Sequence, residues 1–97
     1  AMKFLGIENF RLTDRNKANG DAIFEIGDQQ LAKADFIFYL QADDCLSIRL
    51  GRHEASLKTE ELEAFLKDNM RELRKLVKPE VERVRRERRE QMNNPSN

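Results

Sequence analysis

Hydrophobic positions change period once along this chain. Up to Leu50 they alternate by twos, and beyond Leu62 they recur every three or four residues. Ala22-Ile23-Phe24-Glu25-Ile26 reads as a strand bounded by Asn19-Gly20-Asp21 and Gly27-Asp28, both turn chemistry. In residues 34–40, Phe36, Phe38 and Leu40 share a face. Ala42-Asp43-Asp44 turns the chain, and residues 45–50 then bring Leu46, Ile48 and Leu50 inward, so the two segments form an antiparallel hairpin. Residues 3–13 make a first strand with Phe4, Gly6, Phe10 and Leu12 on one face. Gly6 and Asn9 mark a bulge or break in it. Arg15 to Gly20 reads as a polar loop.

The second half reads as one helix. Thr59 is suited to cap it, and Glu60 and Glu61 suit the positive end of its dipole. Leu62, Phe65, Leu66, Met70, Leu73, Val77, Val81 and Val84 then form a stripe at the helical period. Pro79 either kinks this helix or opens a second one, and the stripe, which keeps its phase through it, favours one continuous helix kinked there. A helix over residues 60–91 spans roughly 48 Å at ~1.5 Å per residue, whereas strands of six or seven residues span only about 20–24 Å. On that arithmetic the stripe outruns the sheet. Val77, Val81 and Val84 are expected to be buried against a second copy, and a homodimer follows. The alternative is a solvated helix sustained by its own ion pairs.

The fold class is therefore α+β: a four-stranded antiparallel β-meander packed on one long C-terminal helix, β-β-β-β-α. Residues 2–91 form a single domain and residues 92–97 a disordered tail. The expected core is Phe24, Ile26, Phe36, Phe38, Leu40, Leu46, Ile48, Leu50, Leu62, Phe65, Leu66 and Leu73. The outer sheet face carries Ile23, Ile37, Tyr39 and Cys45. Ile23, Ile37 and Tyr39 are read as a candidate surface for an unidentified protein partner, unless the tail or first strand covers them.

Charge adds a second division. The 97 residues balance 18 basic against 18 acidic side chains. Residues 2–70 hold nine basic and thirteen acidic residues, while residues 71–97 hold nine basic and five acidic. In the linear sequence Glu80, Glu82, Glu87 and Glu90 are interleaved with the arginines. That mixing is the pattern of a solvated, ion-paired helix or coiled-coil flank. Nucleic-acid binding through Arg83, Arg85, Arg86, Arg88 and Arg89 is the alternative. A pI near 6.9 weighs against it.

Catalytic chemistry is poorly served. His53 and Cys45 are the only residues of their kinds. On one strand they lie about 25 Å apart at ~3.3 Å per residue, so no dyad forms within one chain. Asp43-Asp44 reads as turn chemistry rather than a metal pair, and no glycine-rich phosphate loop occurs. No catalytic, cofactor-binding or metal-ligating set is expected, except through a site shared between subunits. No apolar run spans a membrane and no signal peptide is recognisable, so a cytoplasmic protein is expected.

Ile48-Arg49-Leu50-Gly51-Arg52-His53, followed by Ser56-Leu57 and an amphipathic helix, resembles the end of the arm-type DNA-binding domain of phage integrases, over about 25 residues. The chain departs from it at Asp35, Asp43 and Asp44, where a DNA-reading sheet would present basic residues. The order of a meander and then a helix is also similar to the single-stranded-DNA-binding coactivator fold. That is a likeness of architecture, which carries no function by itself. The expected function is a non-catalytic protein-interaction module that self-associates, with nucleic-acid binding as the alternative.

Overall fold

The computed structural model describes residues 2–93. Strands β1 (Met2–Asp14), β2 (Lys17–Ile26), β3 (Gln30–Gln41) and β4 (Asp44–His53) form one antiparallel sheet in the order β1-β2-β3-β4. Helix α1 (Thr59–Asn93) follows and packs on one face. The α+β meander-plus-helix architecture is the one read from the periodicities. The helix takes in Met92 and Asn93 of the expected tail; residues 94–97 lie outside the described residues.

The strands are longer than the apolar runs suggest. Residues 17–20 belong to β2 rather than to a loop, and only Arg15 and Asn16 turn the chain there. The inward positions of β2 are Ala18, Gly20, Ala22 and Phe24, and those of β3 include Ala32 and Ala34 ahead of Phe36, Phe38 and Leu40. Small inner residues leave room for large neighbours. A Cβ at Gly20 would sit 2.7 Å from Ile7 Cγ2 and 3.2 Å from Phe38. Gly20 is therefore a packing glycine, not a turn. Asn19 faces the other way, donating from Nδ2 to both Asp35 carboxylate oxygens at 3.0 Å.

Bulges set which residues face the core. β1 is irregular at Phe4/Gly6 and Glu8/Arg11, where Gly6 (φ 143°) and Asn9 (φ 53°) take left-handed conformations. Its inward residues are consequently Met2, Phe4, Ile7, Phe10 and Leu12, with Ile7 replacing the expected Gly6. In β4, Tyr39 pairs Ser47 but Leu40 pairs Cys45, so Leu46 is the extra residue. That shift corrects two assignments. Leu46 is 54% exposed, and Cys45 is fully buried in the core rather than on the outer face.

The helix bends at Asn69 (φ −122°, ψ 15°), not at Pro79, which lies within the helix. Asn69 Nδ2 donates to the Phe65 carbonyl at 2.9 Å, a side-chain bond across the bent turn. Leu62, Leu66, Leu73, Val77, Val81 and Val84 are all buried along the helix. Phe65 closes the near end in a cluster with Phe4, Phe24 and Phe36, at centroid distances of 5.0, 5.2 and 6.4 Å.

Candidate functional site

Val77 and Val81 are fully buried and Val84 is 7% exposed within a single chain. The seam expected to bind a second copy is thus covered by the chain's own sheet. Strands of six or seven residues would end short of these valines. Strands of ten to thirteen reach about 33–43 Å at ~3.3 Å per residue. The bent helix stays over them, and the apolar stripe no longer argues for a homodimer.

The outer-face set is also dispersed. Ile23 pairs with Lys33 and Ile37 with Asn19 and Arg49, and the Asp21–Asp35 pair lies between them. Ile23 is 7% exposed outside the main core cluster. Ile37 and Tyr39 are half-buried, and Arg49 lies over the Tyr39 ring at 6.0 Å. Two aspartates directly opposite one another would repel. Asn19 answers Asp35, and Arg11 lies 3.9 Å from Asp21. The middle of this face is therefore a polar network that also includes Thr13, whose hydroxyl donates to Asn19 Oδ1 at 2.7 Å.

His53 and Cys45 both have structural partners. His53 Nδ1 meets the Glu54 carbonyl and Nε2 meets the Thr59 hydroxyl, each at 2.9 Å. Thr59 thereby ties the helix start to the end of β4 instead of capping. Burial pushes the Cys45 thiol up to about 11, although the Arg74 charge opposes this. Its Sγ–H donates to the Ser47 carbonyl at 3.4 Å.

The helix C-terminal half holds the strongest charged feature. At about 100° per residue, Arg71, Arg74, Lys75, Lys78, Arg85 and Arg89 occupy one side of the buried stripe. Arg86 borders them, and Glu82 is the one acid in that arc. Glu72, Glu80, Glu87 and Glu90 occupy the opposite side with Arg83. The interleaving of the linear sequence thus resolves into a basic and an acidic flank. The basic row runs about 27 Å from Arg71 to Arg89 at ~1.5 Å per residue.

Local contacts orient this row. Arg74 Nε donates to the Cys45 carbonyl at 2.6 Å, and its Nη2 lies 3.6 Å from Asp44. Arg85 Nη2 donates to Asn16 Oδ1 at 3.4 Å, while Arg85 Nε is buried with no hydrogen-bond partner. Arg74, Arg71, Lys75 and Lys78 surround a shallow hollow beside Asp44. Among the described residues, Arg74–Asp44 is the basic flank's single ion pair.

The five arginines singled out from the sequence therefore divide. Arg85, Arg86 and Arg89 lie on or beside the basic flank. Arg88 lies on the β1 side, near Phe10, Leu12 and Glu87. Arg83 is held by Glu80 and Glu87 at 3.1 Å and donates to the Phe10 carbonyl at 3.2 Å. Those bonds, first to Glu80 and then to Glu87, raise its pKa further. Arg71, Arg74, Lys75 and Lys78, not among those five, complete the flank. Their spacing relative to the buried stripe is the signal that assigns them.

Among the described residues, no group of three or more His, Cys, Asp or Glu side chains is arranged to hold a metal, and no helix is long and apolar enough to cross a membrane. Comparison of the chain with protein-family models, curated proteins and solved structures finds no match.

Proposed function

We propose that this chain is a non-catalytic binding module for nucleic acid, gripping the sugar–phosphate backbone along the basic flank of α1. The observation that carries the reading is the sorting of charge across the helix. Six cations share a row of about 27 Å, Glu82 is the one acid of the C-terminal half of α1 in that arc, and only Arg74 among them has an acidic partner, Asp44. Unpaired cations spaced one helical turn apart gain by neutralising successive phosphates and releasing counterions. Guanidinium groups suit bidentate phosphate contacts, and the lysines act as point charges. No element of this row reads base edges, so the binding is sequence-independent.

The test is fluorescence anisotropy with a labelled random-sequence duplex and the matching single strand, across a salt series. Expected is binding at low salt with a slope in log K against log salt of about −4.5 to −5.5, corresponding to five or six neutralised phosphates on a duplex. Lys75→Glu with Lys78→Glu should lower affinity at least about tenfold and flatten the slope by about 2. These side chains are exposed, so the fold is retained. Absence of binding to either nucleic acid at low salt would refute the proposal, as would a salt slope that charge reversal leaves unchanged.

A further inference from the structure

We propose that the cleft opened by the bend at Asn69 is a docking groove for a basic peptide segment that carries one large apolar side chain. The cleft lies between β1 and α1 and measures about 310 Å³. Phe4, Phe65, Leu73 and Leu76 line it, with Asn69 and Glu72 completing the wall. Leu76 is 47% exposed, although it sits one residue from the buried Val77. Phe4 and Phe65 are half-buried. The volume is at the small end for ligand sites and suits one side chain rather than a drug-sized molecule.

The wall's chemistry narrows the occupant. Asn69 Nδ2 is already engaged by the Phe65 carbonyl, so the groove recognises its anchor by apolar contact. Charge complementarity then selects the surrounding segment. Glu72 stands at the rim, Asp68 lies four residues before it, and Glu61 lies seven residues before Asp68 along the helix. Among the described residues, none of the three forms an ion pair. A segment lying along this flank finds carboxylates for its lysines or arginines while its apolar residue enters the cleft. An acidic segment is repelled, and so is nucleic acid. No residue of the basic row lines this cleft, so the inference stands independently of the proposed nucleic-acid site.

The probe is a short labelled peptide with one central Phe among alternating lysines and serines. Two controls replace the Phe with Ser or the lysines with glutamates. Anisotropy is measured with the full chain at low salt. Expected is saturable binding of the Phe–Lys peptide. The Ser-centred control should bind about tenfold weaker or worse, the factor that burying one large apolar side chain supplies. The glutamate control should not bind. Leu76→Lys and Glu72→Lys each alter an exposed residue, and each should weaken the Phe–Lys peptide at least fivefold while circular dichroism stays unchanged. Equal binding of the Phe- and Ser-centred peptides would overturn the proposal, as would binding indifferent to Leu76→Lys. A dimer in light scattering that Leu76→Lys dissociates would assign the cleft to a second copy and overturn it too.

Discussion

Val81→Ala separates a core valine from a subunit-seam valine. Val81 is fully buried on the helix face that meets the sheet, well beyond the Asn69 bend. Truncation to Ala removes two methyl groups, at about 0.8 kcal/mol each for lost burial, and leaves a cavity in a close-packed region. The expected cost is about 2–3 kcal/mol, a large share of the ~5–15 kcal/mol typical of a domain this size. With a urea m-value of about 1–2 kcal/mol/M, the midpoint should fall by about 1–3 M. Urea denaturation monitored by circular dichroism at two widely separated protein concentrations measures it. A core residue lowers the midpoint equally at both concentrations. A seam residue would couple stability to association and make the midpoint rise with concentration. Leu76→Ala, on the exposed side of the same helix, should cost no more than about 1 kcal/mol. A Val81→Ala variant with an unshifted midpoint but a smaller oligomer would refute the reasoning.

Gly20→Ala should destabilise the fold by about 1–3 kcal/mol, because its methyl would fall 2.7 Å from Ile7 Cγ2; adding Ile7→Ala should recover part of that loss. Additive costs in the double variant would argue against a clash at this point. The Cys45 thiol is protonated in both states below about pH 8, and burial raises its pKa from 9.0 to about 11 in the folded chain. Between those values the unfolded chain ionises first, so stability falls as pH rises from about 8 towards 11. Subtracting the profile of Cys45→Ala from that of the parent between pH 8 and 11 should isolate this decline; parallel profiles would count against it.

Patterning carried the architecture because each inner face repeats at its own period: Phe36, Phe38 and Leu40 on a strand, and Leu62, Leu66, Leu73, Val77, Val81 and Val84 on a helix. Strand lengths were harder to read because the inner face of β2 uses Ala18, Gly20 and Ala22. Ala and Gly are poor strand formers and Asn19-Gly20-Asp21 has turn composition. Their smallness is instead a response to Ile7, Phe10 and Phe38 packed above them, which local sequence does not encode. The phase of β4 was lost for a related reason. A bulge displaces the period by one residue, so Leu46 and Cys45 exchanged faces. Pro79 was the most visible helix breaker, yet the bend falls at Asn69, where a short side chain can bond the Phe65 carbonyl. Each miss follows from reading a residue by its intrinsic preference where tertiary packing decided.

The zero net charge is a property of the whole chain, whereas a partner meets one side of it. A helix with cations on one flank and carboxylates on the other must alternate in sign every three or four residues. In a linear reading such a helix cannot be distinguished from one neutralised by ion pairs. Contacts distinguish them. Arg83 reaches Glu80 and Glu87 because all three share a flank, whereas Lys75, Lys78 and Arg89 do not reach the acids that separate them in sequence. A helix is about 10–12 Å across with its side chains, and the Debye length is ~8 Å at physiological ionic strength. Opposite flanks are therefore screened from one another, and each presents its own sign to whatever approaches it. The balance of 18 against 18 charges is the sum of an acid-rich first part and a base-rich last part of the chain, and it does not weaken the case for phosphate binding on one side of the helix.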